Sequence, residues 1–144
     1  MAKDRSRKDL FREFEHTGDL GIELEAQARK ELFARAALAL GRLMVAPEGI
    51  SPGESRVVEA VAESDEDLMH DVLAAALNVF LADGFIWCET RAEEIPGGIA
   101  VTLSGERFDP RRHQLLTEIK AVTYHELKVE RSGRRWSARI LFDV

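Results

Sequence analysis

At 144 residues, with 45% hydrophobic and 32% charged side chains, the chain fits one folded domain with a real core rather than a disordered protein. A net charge of −6 and a pI near 5.3 argue against broad, sequence-independent nucleic-acid binding, which needs a basic face. No apolar run approaches the roughly 18 residues that span a bilayer, and the charged start MAKDRSRKDL lacks the apolar stretch of a signal peptide. A cytoplasmic location away from membranes is the expectation.

Residues 1–9 read as a flexible charged tail and residues 10–144 as a single domain, with no repeat and no low-complexity linker. Leu20, Ile22, Leu24 and Ala26 alternate along a half-buried strand. Residues 29–45 follow a helical period through Leu32, Phe33, Ala36, Ala37, Leu40 and Met44. Pro47, Gly49, Pro52 and Gly53 make a loop, and residues 56–62 alternate as a second strand. Ser64 can cap a second helix whose first turn is acidic and whose end is Asp83-Gly84. Residues 85–93 and 98–104 flank Pro96-Gly97-Gly98 as one hairpin; 122–130 and 135–142 flank Ser132-Gly133 as another. A polar loop of about 15 residues, 105–120, lies between them, and loops that long are often functional. This order predicts an α+β fold: two helices packed on one face of a mostly antiparallel sheet.

The chemistry concentrates at the two ends. Glu15, His16 and Asp19 surround Gly18 just before the first strand. Asp19 can make an Asx turn or serve as an oxygen ligand. The chain stops at Asp143-Val144, directly after the apolar Ile140-Leu141-Phe142. The Asp143 carboxylate and the Val144 terminal carboxylate offer four oxygens, unless they are simply a solvated end. If their strand lies beside Asp19, the set suits Ca²⁺ or Mg²⁺ rather than zinc. His16, Asp109, His113, Lys120 and His125 are candidates for the same region, although each also suits an ordinary turn, loop or strand edge. His70 reads as a solvated helix residue. Cys88 cannot form an internal disulfide and reads as a small packed hydrophobe. The basic clusters 5–8, 111–112 and 131–135 read as solvated. No paired-histidine helix motif and no Gly-rich phosphate loop is present.

Together these motifs resemble the archease family. Phe14-Glu-His-Thr-Gly-Asp-Leu-Gly-Ile22 resembles its opening motif, with Gly18 in place of the usual alanine. Ile119-Lys-Ala-Val-Thr-Tyr-His125 resembles its most distinctive string. Gly105-Glu106 with Asp109 and His113, Leu77-Asn78, and Phe142-Asp143-Val144 also match; Val79 departs from the acidic residue common there. The resemblance implies a protein cofactor rather than a free-standing enzyme. Its implied partner is an RtcB-type RNA ligase, which joins a 3′-phosphate or 2′,3′-cyclic phosphate end to a 5′-hydroxyl in tRNA splicing and RNA repair. The cofactor promotes ligase guanylylation with GTP and repeated turnover. The resemblance also implies a bound metal, calcium with magnesium or manganese as alternatives, on Asp19, Asp143 and Val144. An activating role falls on Lys120, with His125, His16 and Asp109. RNA contact is expected to be weak or indirect, and the chain a monomer or small homo-oligomer. Glu15, His16 and His113 stand open between docking and supporting the fold. Two other readings remain: a chaperone-like binding module for a tRNA methyltransferase, and a small metal-dependent phosphoesterase using Asp19, Asp143, His16 and His125.

Overall fold

The computed structural model describes residues 10–144; the expected tail 1–9, with its basic cluster, lies outside the described residues. The order is β1 (Arg12–His16), β2 (Asp19–Ala26), α1 (Arg29–Met44), β3 (Glu54–Val61), α2 (Asp65–Asp83), β4 (Phe85–Ile95), β5 (Gly98–Arg107), β6 (Ala121–Val122), β7 (Lys128–Ser132) and β8 (Arg135–Asp143). All strand pairs are antiparallel. The expected α+β class holds, but the strands divide between two sheets. One runs β1-β2-β8-β6 with β7 also on β8; the other runs β3-β5-β4. The split follows from pairing: the β4–β5 hairpin recruits β3, whereas β8 returns to β2. Each helix touches strands of both sheets, so the helices share one core with both.

Local chemistry explains the elements. On β2 and β8, Ile22, Leu24, Ile140 and Phe142 are buried toward the helices. The opposite, outer face of this sheet carries the charged ladder described below. Helix α2 starts where Ser64 Oγ accepts from Asp67 N–H at 3.1 Å. It ends on Gly84, whose φ of 68° only glycine adopts without cost. Helix α1 is buried on several sides, and its small residues let β4 approach. The Trp87 indole N–H donates to Ala37 O at 2.9 Å, and Gly41 leaves room for that ring.

Two elements differ from the expectation. Residues 12–16 pair with β2 as an edge strand, joined to it by the two-residue turn Thr17-Gly18, both at positive φ. The expected strand 122–130 is interrupted. Val122 pairs with Phe142 and Lys128 with Arg139, so residues 123–127 face only Ile140 and Leu141. The excess chain lifts off as a wide bulge, shaped by Thr123 Oγ1 accepting from His125 N–H and by Glu126 at φ 54°. His70 is not free in solvent: its ring stacks on Tyr124 of this bulge at 4.0 Å. The loop after β5 drapes over the end of α1, with Leu116 and Thr117 N–H bonded to Met44 and Leu43 carbonyls.

Candidate functional site

The rim of the five-stranded sheet gathers both ends of the chain. His16 pairs with Asp19, Asp19 with Asp143, and Asp143 with Ala121, one row across four strands. Paired residues project to the same face, with Cβ atoms about 5 Å apart. Asp19 and Asp143 are therefore side by side. Lys120 is exposed next to them, and its N–H donates to Asp143 O at 2.7 Å, fixing the end of β8. Val144 follows at the surface. The donor set, carboxylate and main-chain oxygen, fits a hard cation. Facing carboxylates repel, and a cation between them would remove that cost.

The opening motif positions this row. Phe14 lies flat on Gly21 across the strand pair, where a Cβ on residue 21 would meet its ring at 2.3 Å. The Arg139 guanidinium covers the other side of the ring at 4.0 Å from its centroid. Arg139 bonds Glu23 at 2.6 Å and Glu126 at 3.0 and 3.1 Å, and Arg12 also bonds Glu23. This ladder clamps β1, β2, β8 and the bulge together. Hydrogen bonds from Arg139, with the His16 ring beside it, hold the Glu126 carboxyl below the usual carboxylate range. Glu15 points to the opposite side of β1 from His16 and is exposed.

The expected convergence of five residues is partial. His16 and His125 meet, with ring centroids 5.2 Å apart, and Lys120 flanks the aspartates. Asp109 and His113 instead build a knot at the start of the long loop. Asp109 N–H donates to His113 Nδ1 at 2.8 Å, so Nε2 carries the proton and donates to Glu106 at 2.9 Å. The Ser51 N–H, then Arg112 and His113, hold the Glu106 carboxyl down to about 2. The bonds of Asp109 fold the loop: its carbonyl accepts from Arg112 and His113 N–H, and its carboxylate from Arg111 N–H. Sequence reasoning missed Glu126 and Arg139, and it placed Glu106 in a motif without reading its bond to His113. Glu126 adjoins His125 in the signature string, but its left-handed backbone and its Arg139 partner leave no local signal.

The model of the archease protein family (MTH1598/TM1083) matches residues 11–144. The chain belongs to the archease family. The archease of Methanopyrus kandleri is 33% identical, over 93% of this chain and 99% of that protein. The archease of Methanosarcina acetivorans is 32% identical, over 96% and 99%. Among solved structures, Methanobacterium thermoautotrophicum protein 1598 superposes with a TM-score of 0.78 at 25% identity, covering 94% of this chain and 99% of that one. A Thermotoga maritima archease, described as a possible chaperone, gives a TM-score of 0.64 at 28% identity, covering 91% and 94%. The archease fold thus extends across the described chain. No helix among the described residues is long and apolar enough to cross a membrane.

Proposed function

We propose that this archease is a metal-binding protein cofactor that activates an RtcB-type RNA ligase by promoting its guanylylation with GTP. The supporting observation is that Asp19 and Asp143, from opposite ends of the chain, face each other with Lys120 alongside. Asp19, Asp143 and the main-chain oxygens of Val144 would hold a calcium-class ion. Because Ca²⁺ takes 6–8 oxygens, water or a ligase group completes the shell. A bound ion would supply positive charge at the tip, and Lys120 would offer a mobile cation to a phosphate or an acidic ligase group. The acidic surface suits docking near a basic nucleotide and RNA channel rather than gripping RNA directly.

The test is ligase–GMP formation with GTP and Mn²⁺, with and without this protein. Wild type should speed it, and Asp143→Ala and Lys120→Ala should not. Stimulation undiminished in both variants would remove the rim from the mechanism. The description of the T. maritima relative as a possible chaperone favours a second reading, a chaperone-like binding module; the family resemblance alone suggests a tRNA methyltransferase as its partner. That module would raise its partner's solubility without needing Asp19 or Lys120.

A further inference from the structure

A second set of metal-ligating atoms stands beside the aspartate row. His16 Nε2 lies 2.7 Å from Glu126 Oε2, and His125 Nε2 lies 3.6 Å from the same oxygen. The ligand atoms of all three residues fall within 4.8 Å of one another. We infer that His16, His125 and Glu126 form a site for a zinc-class transition-metal ion, separate from the hard-oxygen pair Asp19–Asp143. The inference does not depend on the ligase reading.

Donor chemistry separates the two sites. Two imidazole nitrogens and one carboxylate suit zinc and its neighbours, whereas calcium prefers oxygen alone. Bonds of 2.0–2.2 Å in a tetrahedral shell put ligand atoms roughly 3.3 Å apart. The observed 2.7 and 3.6 Å lie on either side of that spacing, so small side-chain rotations close the site. His125 is largely exposed, which leaves one side open for water as a fourth ligand.

The surroundings are arranged for this use. Arg139 binds Glu126 Oε1 through Nε and Nη2, which orients Oε2 toward the imidazoles. Arg139 is itself pinned by Glu23 and by the Phe14 ring. His16 Nδ1 is buried with no hydrogen-bond partner among the described residues, so its polar anchoring comes through Nε2. Glu126 sits at φ 54°, a conformation that costs a non-glycine residue about 1–2 kcal/mol. Glycine would sit there without that cost but could not ligate. The Arg139 bonds account for Oε1 of Glu126; the two imidazoles turned to Oε2 are what a metal site adds to that ion-pair network.

The test uses the untagged full-length chain, stripped of metal and titrated with Zn²⁺ by calorimetry and with Co²⁺ by visible absorption. Wild type should bind a single ion per chain at this site, giving the visible bands of low-coordinate Co²⁺, and excess Ca²⁺ should not displace it. His125→Ala and Glu126→Gln should each weaken binding by at least about tenfold, the loss seen when even an outer-shell partner is removed. Asp143→Asn should bind as wild type. Thermal melts of the metal-free variants report folding separately, and the exposure of His125 makes its truncation structurally mild. No Zn²⁺ or Co²⁺ binding by wild type, undiminished binding by His125→Ala, or an equal loss in Asp143→Asn would overturn the assignment.

Discussion

Asp19 and Asp143 occupy facing positions of β2 and β8, so two carboxylates share one place at the rim of the sheet. Like charges directly opposite destabilise a strand pair, on the scale of about 0.2–1 kcal/mol. Asp143→Asn should therefore stabilise the metal-free chain by about that amount. If the pair holds Ca²⁺ as proposed, wild type should gain about 2.7 kcal/mol at roughly 100 times Kd, and the variant should lose that gain. Thermal melts in chelator and in Ca²⁺ measure both effects. A Ca²⁺ response retained by the variant would exclude Asp143 as a ligand.

The Glu106 knot predicts a pH dependence. Its carboxyl titrates near about 2 in the fold, against 4.5 as a free group. The folded chain binds fewer protons between those values. The contribution of Glu106 to stability is thus full above pH 4.5 and is lost as the pH falls toward 2. Glu106→Gln should flatten the acid decline in Tm over this window while leaving the slope between pH 6 and 8 unchanged. Parallel declines in the two proteins would deny Glu106 this role.

Helix α1 and β4 meet at Gly41 and Trp87. A Cβ on residue 41 would stand 2.7 Å from the indole nitrogen. Alanine normally favours a helix interior over glycine, by about 1 kcal/mol. Here Gly41→Ala should instead destabilise by about 1–3 kcal/mol through overpacking. Adding Trp87→Leu should recover part of that loss, and a double-mutant cycle by urea denaturation reads the coupling. Strict additivity would mean that the two sites do not touch.

Cys88 sits where the β4–β5 register shifts, with Sγ facing the Ile50 and Ser104 carbonyls. Burial, helped by the nearby Glu89 charge, pushes its thiol up. Alkylation at pH 7.5 should be slow for the native chain and at least about tenfold faster in denaturant, since the thiolate is the nucleophile. Equal rates would show an accessible, unperturbed thiol.

The legible parts of this chain were those carried by local signals. The second helix was readable because Ser64, its acidic first turn and Gly84 mark both ends within one stretch of sequence. Asp19 and Asp143 were readable as candidates because each stands at the end of an alternating strand. The edge strand β1 was hidden: polar residues flank Phe14, whose apolar contact is Gly21 on the neighbouring strand. The interruption between β6 and β7 was hidden too, because Thr123 to Leu127 carry no glycine or proline to mark a bulge.

By itself the sequence determined the antiparallel α+β class and both long helices, and it marked Asp19 and Asp143 as candidates, since periodicity, caps and side-chain chemistry act over a few neighbouring positions. Only the tertiary structure decided that the strands form two sheets, that Asp109 and His113 fold their own loop, and that His16, His125 and Glu126 meet. Those outcomes depend on which distant strands pair and in what register. That choice is made by burial of the shared core, and no short window of sequence contains it.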